Sequence, residues 1–189
     1  MDDYVNYLKA PVGTWDGKTY RISIDGDCHT FSYRTDYLTD EKIVAATGVS
    51  APLTTWDAVD DYSVKVKGQT DPLTSLPAYG FLDPLKGWGG FGFYFLEDRA
   101  TPYVKHPDNP AWLFDPETMK PLVNNPGWVQ AIQEVLDLIA AGAYPPDQIN
   151  TDPGGTAFSQ FLAGTGSSLI RRRPSAACSG AESRDSHPS

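Results

Sequence analysis

The 189-residue chain has no apolar stretch of transmembrane length; even its most hydrophobic run, Phe91–Leu96, is short and set among glycines. Basic residues are scarce, with 15 Lys and Arg against 24 Asp and Glu and a net charge of −9. Phosphate groups are bound by cations, so nucleic acid and an anionic membrane are disfavoured as partners, and the one basic cluster is Arg171-Arg172-Arg173. Cysteine is limited to Cys28 and Cys178, far apart and with no CxxC or Cys/His spacing. No metal site is expected, no pairing can be deduced, and two free thiols are the plain reading. The start, Met1-Asp2-Asp3-Tyr4, lacks the basic region and apolar core of a signal peptide, which taken alone reads as cytoplasmic. Gly-x-Ser-x-Gly, HExxH and phosphate-loop patterns are missing, as is a Cys/His dyad, so nothing marks an enzyme and no cofactor is implied.

What is present suits an ordinary globular body. Hydrophobic residues make up 40% and charged residues 21%, enough for a core without staples. Gly and Pro (17 and 16) argue against a plain helical bundle, and five Trp, ten Tyr and eight Phe are generous for this length, with core packing their commoner use and a binding surface the alternative.

Along the chain, Asp16-Gly17 signals a tight turn leading into Thr19–Ile24, where Tyr20, Ile22 and Ile24 alternate as in a half-buried strand. Asp25-Gly26-Asp27 reads as an acidic glycine loop before a second extended run, His29–Tyr33. A helix is expected over Asp36–Thr47, stopped by Gly48, and another from Thr55-Trp56 to Gly68 with Trp56, Val59, Tyr62 or Ser63, and Val66 on one face. Tyr79–Leu82 is expected as a short strand, Gly87–Leu96 as a loop entering a short helix, and Trp112–Asp115 as a strand running into a turn. Asn124 or Asn125 can cap a helix over Trp128–Ala141 whose stripe is Trp128, Ile132, Val135, Leu136 and Ile139. A last helix is expected over Ala157–Ala163. After Ile170 no large apolar residue occurs, so residues 171–189 read as a disordered tail.

Several of these pieces, in order, resemble bacterial extracellular solute-binding protein family 1, the sugar-capturing component of ABC importers. Asp16-Gly17-Lys18-Thr19-Tyr20 is similar to the family's turn into a strand, and Thr30–Leu38 to its "YYR-x-D-LF" return. Thr55-Trp56-Asp57 is similar to its "TWD" helix start, and Tyr79-Gly80-Phe81 to the strand that follows. Phe114-Asp115, the Trp128–Ala141 helix and Phe158-x-x-Phe161-Leu162-Ala163-Gly164 complete the series, over roughly residues 13 to 170. The chain departs from the family in showing neither signal peptide nor N-terminal lobe, and in losing the family's continuation after Ile170. The abrupt change there suggests a frameshifted or truncated reading frame.

The resemblance implies an α/β, periplasmic-binding-protein-like (type II) fold, mainly one lobe plus part of the hinge, over residues 1–170. It implies a periplasmic or extracellular parent that hands a sugar or other small polar solute to an ABC permease. Ligand is expected on the face that meets the absent lobe, and exposure of that face predicts self-association. Sugars need flat rings against their C–H faces and fixed acceptors for their hydroxyls. Trp88, Phe91 and Tyr94 are candidates for the first and Asp25, Asp27 and His29 for the second, with Gly89 allowing close approach. Each has a plainer role: turn formation for Asp25 and Asp27, structure for His29, core for Phe91 and Tyr94. Trp56 and Trp128 lie in helix stripes and read as core. A glycoside hydrolase is the enzyme alternative, but it needs two carboxylates at a defined separation around the sugar bond, which two acids of one short loop do not by spacing build. A truncated product without ligand function is the third reading.

Overall fold

The computed structural model describes residues 13–22, 27–50, 52–83, 85–86, 91–106, 108, 111–150 and 156–174. The chain divides into two compact units, residues 1–30 with 171–189, and residues 31–170.

In the first unit, β1 (Thr14–Trp15) and β2 (Lys18–Thr19) pair antiparallel with Thr14 opposite Thr19 and Trp15 opposite Lys18. The two loop residues both take positive φ, 47° at Asp16 and 69° at Gly17, as a primed two-residue hairpin turn requires. The turn is as expected, but among the described residues strand pairing ends at Thr19 and Tyr20 and Ile22 are 68% and 57% exposed; Ser23 and Ile24, the end of the expected strand, lie outside the described residues. An alternating pattern becomes a strand only with a partner and an apolar face to cover, and the two-residue β1 supplies neither. β3 (Asp27–Tyr33) fulfils the second expected extended run and pairs with β4 (Ser168–Pro174). Residues 171–174 thus belong to β4, whereas 175–189, where the rest of the expected tail falls, lie outside the described residues.

The larger unit opens with two helices where the sequence suggested one. α1 (Thr35–Thr39) and α2 (Glu41–Thr47) are separated by Asp40 at φ −65°, ψ 121°. Its carboxylate accepts from the Lys42 and Ile43 N–H groups at 3.0 and 3.1 Å, restarting the helix. α3 (Trp56–Val66) is capped by Thr55, whose hydroxyl oxygen accepts from Ala58 N–H, and it buries Val59, Tyr62, Ser63 and Val66. α4 (Phe91–Val104) is a full 14-residue helix rather than a short one, and it carries Pro102 in its last turn. α5 (Pro126–Ala141) is capped by Asn125, accepting from Gly127 and Trp128 N–H, and stops at Gly142 with φ 73°. α6 (Thr156–Leu162) precedes β4.

α5 does not bury the stripe expected of it. Trp128, Ala131, Val135 and Leu138 are buried, whereas Ile132, Leu136 and Ile139 join Val129 among the exposed residues. Apolar residues occupy two adjoining faces of α5, and only the 128–131–135–138 face is buried.

The expected Tyr79–Leu82 strand is a bridged segment. Tyr79 pairs in parallel with Gly166. Ser167 N–H donates to the Tyr79 carbonyl at 2.9 Å while its own carbonyl accepts from Arg34 N–H at 2.8 Å. Residues 165–168 therefore run between 79–82 and the end of β3. Gly80 is required here, because a Cβ would stand 2.1 Å from the Ser63 carbonyl oxygen of α3. The expected strand at Trp112–Asp115 reduces to one bridge, Phe114 to Pro121, around a turn in which Asp115 accepts from Glu117 and Thr118. Around these elements Tyr37, Leu38, Ile43, Val59, Tyr62, Phe81, Phe95, Val135, Leu138 and Tyr144 form the main core. Burying each such large side chain stabilises by roughly 1.5–3 kcal/mol.

Candidate functional site

The acidic and glycine–tryptophan segments fall in different units. Asp25, Trp88 and Gly89 lie outside the described residues. Asp27 begins β3, and His29 follows two positions later on the same strand with its side chain exposed. Phe91 is the first residue of α4. Tyr94, one turn further, is 37% exposed and so is not the core residue that its plainer reading made it. The neighbouring aromatics of α4 are engaged elsewhere. Phe93 stacks on Trp128 with centroids 5.8 Å apart, and Phe95 is buried against Phe81.

A different constellation is fully built within the larger unit. Arg99 of α4 is completely buried, and its guanidinium forms a two-pronged pair with the Asp60 carboxylate of α3. Glu134 of α5 lies 3.9 Å from the same guanidinium. The guanidinium carbon is 4.2 Å from the centroid of the Trp56 ring, so a fixed cation supports the indole from one side. Burial raises the Asp60 pKa above the usual carboxylate range, opposed by the Arg99 pair. The Tyr103 hydroxyl donates to Glu134, and that bond to a carboxylate pushes the phenol up to about 12. Phe31 stands edge-on to Trp56, with centroids 6.4 Å apart and ring planes at 70°.

These rings border an open groove of about 520 Å³ lined by Phe31, Leu53, Thr54, Thr55, Trp56, Asp57, Val59, Pro102 and Tyr103. Leu53 and Val59 are buried at its base, whereas Thr54, Asp57 and Tyr103 are exposed. Sequence reasoning assigned Trp56 to the core and did not single out Arg99 or Tyr103. Trp56 is in fact half-buried, with an edge in the groove. Arg99 follows Glu97 and Asp98 after the aromatic run, so in the sequence it reads as part of a solvated charge run and nothing local marks it as buried.

A second buried charge cluster is closed. Asp71, 1% exposed, accepts from Arg34, from the Tyr37 hydroxyl at 2.6 Å, and from Leu73 and Thr74 N–H at 2.8 and 2.7 Å. Burial alone would raise its pKa, but these donors outweigh it and hold the carboxyl at about 2. Among the described residues no group of three or more His, Cys, Asp or Glu side chains is placed to hold a metal ion. No helix among them is long and apolar enough to cross a membrane.

No protein-family model matches the chain, and no curated protein does. Among solved structures it is similar to a sugar transporter from Arthrobacter chlorophenolicus A6 with bound laminaribiose, at 18% identity and a TM-score of 0.66. The likeness covers 90% of this chain but 37% of the other, so this chain spans little more than a third of the protein it matches. The matched structure is that of a transport protein and not of an enzyme. At this identity the likeness establishes the fold alone: a mixed α/β body that corresponds to part of the matched structure, as the resemblance implied.

Proposed function

We propose that this chain is part of the substrate-binding component of an ABC importer, acting on a sugar or oligosaccharide. The observation that carries the reading is the fold likeness to a sugar transporter holding laminaribiose over 90% of this chain. The acidic surface and the excess of aromatic residues agree with a neutral, hydroxyl-rich ligand. In this reading the parent is periplasmic or extracellular and delivers its solute to a membrane permease. Asp25, Asp27 and His29 are then the candidates to accept sugar hydroxyls and Trp88, Phe91 and Tyr94 the candidates to stack on a sugar face, with Gly89 allowing close approach. An apolar face that meets another lobe in such a fold would favour self-association wherever it is exposed.

Tryptophan fluorescence of the whole chain, titrated with laminaribiose and a panel of other sugars, tests this. Saturable binding that Trp88→Ala weakens is the expected result. No saturable response to any sugar would overturn the saccharide reading. Release of a chromogenic aglycone from a glycoside would overturn the non-enzymatic assignment.

A further inference from the structure

We infer that the groove bounded by Phe31, Trp56 and Tyr103 is a second saccharide contact site, one that takes a single neutral pyranose ring. The inference rests on the saccharide reading above but on different residues, all within the 31–170 unit.

The groove's rings are held by polar anchors as well as by packing. Trp56 is supported by a guanidinium that is itself fixed by Asp60, and Tyr103 is oriented by its hydroxyl bond to Glu134. Ring orientations are thereby set before any ligand arrives, which limits the entropy lost on binding. The open volume of about 520 Å³ falls within the usual range for small-molecule pockets, about 300–1,000 Å³.

The charges select the ligand class. Asp57 on the rim, with Asp60 and Glu134 behind it, disfavours an anion. Arg99, directly behind the Trp56 ring, offsets the negative face that would draw a cation onto the indole. The exposed Asp57 carboxylate and Thr54 hydroxyl at the rim offer hydrogen bonds that a hydroxylated ligand takes up and a purely apolar one does not. A neutral pyranose satisfies all three conditions. Its C–H face lies against the aromatic rings, its hydroxyls donate to Asp57, and it carries no charge.

Labelling the chain with 5-fluorotryptophan gives one fluorine at each of Trp15, Trp56, Trp88, Trp112 and Trp128, assigned through single Trp→Phe variants. Titration with methyl β-glucoside is expected to shift the Trp56 resonance saturably. Tyr103→Ala and Asp57→Asn, both at exposed positions, should each raise the midpoint about fivefold or more. A shift confined to Trp88 overturns the groove and leaves the saccharide reading standing. A shift confined to Trp56 supports the groove and removes Trp88 from the site. A dispersed spectrum in which neither resonance responds overturns the groove. Should Trp56→Phe fail to fold, the two exposed variants decide by calorimetry: a midpoint unchanged in both overturns the inference.

Discussion

Arg34 and Arg99 both sit inside the larger unit beside an aspartate and an aromatic ring, yet they do different work. Arg34 lies 4.6 Å from the Tyr37 ring centroid and pairs with Asp36 and Asp71. Asp71 meets four donors, so this cluster is saturated and ties α1 to the loop after α3. Arg99 is more deeply buried but less satisfied: its Nε and the Glu134 Oε2 have no hydrogen-bond partner among the described residues. Its ring neighbour Trp56 also borders open space, whereas Tyr37 is wholly buried. A saturated buried network locks a fold; one left partly unsatisfied beside a groove holds a surface in place at some cost to stability.

The largest effect should come from Arg99→Met, which strands Asp60 and Glu134 and removes the support under Trp56. Urea denaturation should show a loss of about 3–5 kcal/mol. A loss below about 1 kcal/mol would mean that the pair contributes little and that Trp56 is held by packing alone.

Asp71→Asn comes next, at about 2 kcal/mol near neutral pH, from a carboxyl held at about 2 against its ordinary value near 4. The sign follows from that depression. The stabilisation is present above the unfolded-state pKa and is lost as pH falls from about 4 towards 2. Wild type and variant should therefore converge in acid; a constant difference in stability across that window would show that Asp71 acts through shape and not charge.

Tyr103→Phe removes one exposed hydrogen bond to Glu134, and thermal denaturation should show a loss of about 1 kcal/mol or less. A loss as large as that of Arg99→Met would extend the buried network to the rim of the groove. The smallest effect is expected from Lys65→Ala, which breaks an exposed one-turn pair with Asp61 at 2.7 Å and should change stability by less than about 0.5 kcal/mol. It sets the baseline against which the buried arginines are judged.

Local chemistry was legible wherever a residue acts on its own backbone. Thr55, Asn125, Gly48 and Gly142 mark helix ends as read, and Asp16-Gly17 makes its turn. Asp40 was missed because an aspartate inside an apolar–polar pattern fits a helix as well as a cap, and only its bonds to Lys42 and Ile43 N–H distinguish them. The candidate site was less legible. Tyr94 was named and lies at the surface, but Trp56 was read as core because it falls on the same helical stripe as Val59 and Val66. Periodicity gives the face of a helix, not whether the end of that face meets packing or open space.

The sequence by itself determined the caps at Thr55 and Asn125, the stops at Gly48 and Gly142 and the Asp16-Gly17 turn, which depend on residues within a few positions of one another, while the α/β class came from the family resemblance. The tertiary structure alone decided that Arg99 reaches 39 residues back to Asp60, that α5 buries its 128–131–135–138 face, and that Trp56 borders a groove. Those outcomes depend on which distant surfaces meet. An apolar or charged side chain has no preferred partner until the fold presents one, so its role is fixed by packing and not by its neighbours in the chain.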